Sequence, residues 1–120
     1  MLLMPAKDRA STNGWRVNMP ARLERELPAN EYAAIVAHEL GHIEHHHTWE
    51  NLARACFFTS TSAERRREQE FEADDYARFL GCAAPLASAL RRLSHHPFDL
   101  ERAARLELLV LVDSMEASNV

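Results

Sequence analysis

Apolar residues in this chain fall into one short alternating stretch followed by a series of helix-period stretches. Trp15 and Val17 alternate with Arg16 and Asn18, the period-2 signature of a strand with one buried face. Asn13-Gly14 separates this run from Arg9–Thr12 and predicts a two-residue hairpin turn. Beyond the hairpin the period changes. Pro20 can open a short helix carrying Leu23 and Leu27, and Pro28 ends it. Tyr32, Ile35, Val36, Leu40 and Ile43 recur at helical spacing, which predicts a helix from about Ala29 to His47. An apolar cluster from Trp49 to Phe58 marks a connecting segment with helical character. Thr61 and Glu64 have capping-box spacing ahead of a glutamate-rich helix, and Gly81 is placed to stop that helix. Pro85, at a first helical position, opens another helix to about Leu93, and a last helix follows Pro97. The pattern predicts an α+β, mostly α fold.

Composition narrows the class. A chain of 120 residues predicts a single domain, 1–120, with length enough for one core. The net charge of −4 argues against a general nucleic-acid binder, because neutralising phosphates requires a basic surface. Arg65-Arg66-Arg67 is basic, but Glu64, Glu68 and Glu70 flank it, as on a solvated helix face. The longest apolar run, Leu106–Val112, is interrupted by Glu107 and falls short of the ~20 residues of a spanning helix. No membrane span is expected. Cys56 and Cys82 form no CxxC pair, and the N-terminus is too short in apolar residues for a signal peptide. A cytoplasmic location with reduced thiols is the expectation.

The candidate chemistry sits at His38-Glu39-Leu40-Gly41-His42. Histidines at i and i+4 lie one turn apart on one helix face, so both imidazoles can reach one zinc ion. Glu39, beside the first histidine, stands where a general base takes a proton from water. A third ligand must come from elsewhere. The metzincin pattern would place Gly at 45 and His at 48, and this chain has His45 and Thr48. A glutamate on a separate helix is the remaining common arrangement. Glu70 and Asp74 are i, i+4 and share a face. One of the two carboxylates can bind zinc while the other orients a ligand histidine through its free N–H. Glu72 lies roughly 200° around the helix from Glu70 and is not expected to share the metal. His45, His46 and His47 are expected to form a surface histidine patch.

Glu70-Phe71-Glu72-Ala73-Asp74 resembles the E-x-x-A-D signature of the HtpX-like and CAAX-prenyl-protease gluzincins. Ala33–His42 is similar to the active-site helix of that family, and His96-Pro97-Phe98-Asp99-Leu100-Glu101-Arg102 to its late H-P-x-x-x-x-R segment. The three motifs fall in the family's order over roughly residues 15 to 106. The resemblance implies a minimal zincin-like domain: an N-terminal β-hairpin, an HExxH helix and a glutamate helix. It implies one zinc ion held by His38, His42 and Glu70, with Asp74 behind a ligand histidine. It also implies a transition-state role for His96. The family's Asn-Ala pair on an upstream strand has no counterpart near Pro5-Ala6. Size and lack of spanning helices resemble the soluble minigluzincins.

The expected activity is zinc-dependent hydrolysis of peptide bonds in a peptide or protein substrate. An edge strand beside the active-site helix would hold that substrate by backbone pairing. Two other readings stay open: a catalytically silent zinc-site regulatory protein, and a regulator-cleaving peptidase of the ImmA type. ImmA-type helices usually carry Glu-Ala-Asn where this chain has Glu72-Ala73-Asp74. The carboxylate-rich tail Asp113–Val120, from the same chain or from a homodimer mate, is a candidate for filling the cleft and holding the enzyme latent.

Overall fold

The computed structural model describes residues 2–6, 10–12, 16–57 and 59–118. It is mostly helical, with three short strands followed by six helices among these residues. Strands β1 (Leu2–Ala6), β2 (Ser11–Thr12) and β3 (Arg16–Pro20) form a sheet in the order β1-β3-β2. β2 pairs antiparallel with β3, Thr12 opposite Val17, as the hairpin pattern predicts. The Asn13-Gly14 turn itself lies outside the described residues. The pattern did not anticipate β1, which pairs parallel with β3. Parallel pairing needs a crossover and leaves no local turn signal.

The helices are α1 (Ala21–Glu26), α2 (Ala29–Glu44), α3 (His47–Cys56), α4 (Ala63–Phe79), α5 (Ala83–Leu93) and α6 (Pro97–Ser118). Proline 28 is the N-cap of α2, and so separates it from α1. α2 is central: α4 and α5 pack on it, and α6 packs on α5. Val17, Met19, Leu23, Ile35, Leu86 and Leu106 form the middle of the core.

Several boundaries differ from the expectations. α2 stops at Glu44, three residues before the predicted end, and the chain reverses through His45 and His46. His46 takes up a left-handed backbone, φ 57°, which non-glycine residues adopt uncommonly and His more readily than most. No glycine or proline marks this break, so period alone ran the helix through it. The cap of α4 is Ser62, whose Oγ accepts from Arg65 N at 3.0 Å. Thr61 is buried instead and donates to Asn51 Oδ1 at 2.6 Å, tying α3 to the start of α4. Gly81 does stop α4, with φ 82° and a Schellman pair: Cys82 N to Ala77 O and Gly81 N to Arg78 O, both 2.9 Å. α5 begins at Ala83, so Pro85 lies inside its first turn, where its missing N–H costs nothing. Residues 113–118, part of the tail offered above as a candidate to fill the cleft, instead continue α6, and Asp113 is bound by Arg78 at 2.6 and 3.0 Å.

Candidate metal centre

The site is built where α2 and α4 touch. The buried α4 positions are small or polar: Gln69, Ala73, Asp74 and Ala77. The matching position on α2 is Gly41. A Cβ there would sit 2.7 Å from Ala73 Cα and 2.8 Å from Ala73 O. Backbone meets backbone at this point, so only glycine fits. The close approach brings Glu70, one turn before Asp74, over the two histidines.

His38 Nε2 lies 3.0 Å from one Glu70 carboxylate oxygen, and His42 Nε2 lies 3.4 Å from the other. The two histidine Nε2 atoms are 3.2 Å apart. Ligand atoms about 2.0–2.1 Å from a tetrahedral zinc sit roughly 3.3–3.4 Å from one another. Glu70 meets the two histidines with different oxygens, but one ligand atom from each of the three side chains lies within 4.8 Å of the others, and they form the only such group of metal-competent side chains among the described residues. Two imidazoles and one carboxylate are the donor set that zinc takes in a hydrolytic site, leaving a fourth position for water. Glu39 is buried and lines the same cleft, a cavity of about 610 Å³. Ala10, Ser11 and Thr12 line it too, so the edge strand β2 borders the candidate metal position.

Behind the ligand atoms lies a second layer. Asp74, with no exposed surface, accepts from His38 Nδ1 at 2.8 Å. Arg102 on α6 grips Asp74 with two hydrogen bonds, 2.8 and 2.9 Å, and reaches Asp99 at 3.0 Å. Burial pushes the His38 imidazole down, but the carboxylates of Asp74 and Glu70 outweigh it and raise its pKa to about 9. Glu70 moves the other way: burial raises its carboxyl, and the two histidines overcome this and hold it far below the usual carboxylate range.

Residues 10–65 match the family model of peptidase family M48. The match supports a zinc metallopeptidase family. It spans the hairpin, α1, the HExxH helix and α3, and stops before Glu70; the glutamate helix rests on the geometry above. No curated protein and no solved structure matches the chain.

The structure thus gathers His38, Glu39, His42, Glu70 and Asp74. His96 is not among them: it is exposed, its Nδ1 accepts from Phe98 N at 3.2 Å, and it is not part of the cleft wall. The histidine patch needs a correction. His45 and His46 are exposed, but His47 is 2% exposed and lies against His42. Burial lowers the His47 pKa, against the raising effect of Glu72. Arg102 carried a signal in the sequence as the last residue of the H-P-x-x-x-x-R segment, without an assigned role. Nothing in the sequence marked His47 apart from its neighbours.

Proposed function

We propose that the chain is a zinc-dependent metalloendopeptidase of the HtpX-like, minigluzincin-like kind, acting on a peptide or protein substrate in the cytoplasm. The observation that carries this reading is the gathering of His38, His42 and Glu70, whose ligand atoms lie within 4.8 Å of one another, beside a buried Glu39 in an open cleft. Among the described residues no helix is long and apolar enough to cross a membrane, in keeping with the minimal form. His38, His42 and Glu70 would hold the ion. Bound there, zinc supplies a Lewis acid that polarises a carbonyl and acidifies water. Glu39 accepts the proton of the attacking water and delivers it to the leaving amine. Asp74 accepts the Nδ1 proton of His38 and so turns the Nε2 lone pair toward the ion. Extended substrate would lie along the edge strand β2 and pair with it through backbone groups. His96 is exposed and is not part of the cleft wall, so no role in this reading is drawn from it.

Zinc content and hydrolysis of an unfolded protein substrate test the reading together. Wild-type protein should hold about one zinc per chain and lose activity to a chelator. His42→Ala should lose the metal. Glu39→Gln should keep metal and fold while activity drops by several orders of magnitude. A wild-type protein that binds zinc at this site yet cleaves nothing would point to the silent regulatory scaffold. Full zinc occupancy in His42→Ala would refute the ligand set.

A further inference from the structure

His42 uses Nε2 toward Glu70 and His38, and its other ring nitrogen has a partner of its own. His42 Nδ1 lies 2.8 Å from His47 Nδ1. His47 Nε2 lies 2.6 Å from one oxygen of Glu72. The other Glu72 oxygen accepts from Arg65 at 2.7 Å. Arg65 in turn grips both oxygens of Glu50 at 2.8 and 2.9 Å. The contacts run without a gap from α2 to the first residue of α3, across to α4, and back to α3.

Only one proton arrangement satisfies this chain with both imidazoles neutral. Arg65 is a permanent cation that can only donate, and a carboxylate paired with it is ionised near neutral pH, so both Glu72 oxygens accept. Glu72 then requires a proton on His47 Nε2. A neutral His47 has its lone pair on Nδ1, which must accept from His42 Nδ1–H. His42 is left with its lone pair on Nε2, the atom turned toward Glu70 and His38.

We propose that His47, Glu72 and Arg65 form a positioning chain that sets the tautomer and ring orientation of His42 for metal binding. The inference rests on the reading of His42 as a zinc ligand. It gives the second ligand histidine a carboxylate–arginine support of its own, reached through an intervening imidazole. The reversal at His46 makes this geometry available. In an unbroken helix, residue 47 would lie about 140° around the axis from residue 42 and could not touch it.

The test uses the full chain and zinc itself. Zinc affinity is measured by competition with a chelating dye for wild type, His47→Ala, Glu72→Met and Glu72→Gln, with thermal unfolding of each metal-free protein alongside. Loss of a hydrogen-bonding partner behind a ligand histidine weakens metal binding about 10–100-fold. That loss is expected for His47→Ala and Glu72→Met. Glu72→Gln, whose amide oxygen still accepts from His47, should recover most of it. Glu72 is about a third exposed, so its variants keep the packing even where His47→Ala disturbs it. Long-range ¹⁵N–¹H correlations on the zinc-loaded wild type should show His42 protonated at Nδ1 and His47 at Nε2. Wild-type affinity in both Glu72 variants, or His47 protonated at Nδ1, overturns the positioning chain while the zinc reading stands. A wild-type protein that takes up no zinc overturns the zinc reading and this inference together.

Discussion

His38 and His42 stand one turn apart on α2, yet their Nδ1 atoms face different surroundings. His38 leans on Asp74 and Arg102, which are 0% and 6% exposed. His42 leans on His47, which is buried, but behind it Glu72 and Arg65 have side chains 34% and 23% exposed. Both supports end in a carboxylate gripped by arginine. The inner one is shielded from water, so each charge depends on its partner; the outer one is screened, so each contact is worth less. The inner support therefore holds the fold together as well as the site, and the outer one chiefly aims a side chain.

The largest effect should follow from Asp74→Ala. It leaves the Arg102 guanidinium buried without its main acceptor, and breaking one side of a buried pair costs about 3–5 kcal/mol. Urea unfolding of the metal-free protein should show that loss. A change under 1 kcal/mol would mean that water already reaches this pair. Gly41→Ala comes next. Its added methyl group collides with the Ala73 backbone, and overpacking of this kind costs roughly 1–3 kcal/mol. Separating α2 from α4 also pulls Glu70 off the histidines, so zinc affinity should fall with stability; a stable variant with unchanged affinity would show that α4 can slide without opening the site.

Arg65→Met probes the outer support. Part-exposed ion pairs contribute about 0–1 kcal/mol each, so unfolding should move little. A loss as large as that of Asp74→Ala would erase the distinction between the two supports. The smallest effect is the response to acid. Hydrogen bonding to Arg65 holds Glu50 at about 2, below its ordinary value of 4.5. Its contribution to stability is therefore present above pH about 4.5 and lost as pH falls toward 2. Glu50→Gln should flatten the stability curve over that window and leave it unchanged near neutrality apart from a constant offset; equal acid slopes in both proteins would show that this pair adds nothing.

Much of the candidate ligand set was legible because it is written at helical spacing. His38 and His42 at i, i+4 share a face in any α-helix, and so do Glu70 and Asp74. The hairpin edge and the stop at Gly81 were legible for the same kind of reason: local backbone preferences act within a few residues. The capping residue was misassigned by one position, because Thr61 and Ser62 are both competent caps and only the burial of Thr61 against Asn51 decides between them.

Tertiary structure alone decided what lies behind the candidate ligands. Arg102 is 28 residues from Asp74, and Arg65 is 15 from Glu50; no periodicity links such pairs. His47 reads as one of three adjacent histidines until the left-handed turn at His46 starts a new helix and folds it under His42. The parallel strand β1, the exposed position of His96 and the helical course of residues 113–118 have the same origin. Each depends on which surfaces meet, and that is set by the packing of whole elements, whereas the ligand spacing is set by the geometry of one helix at a time.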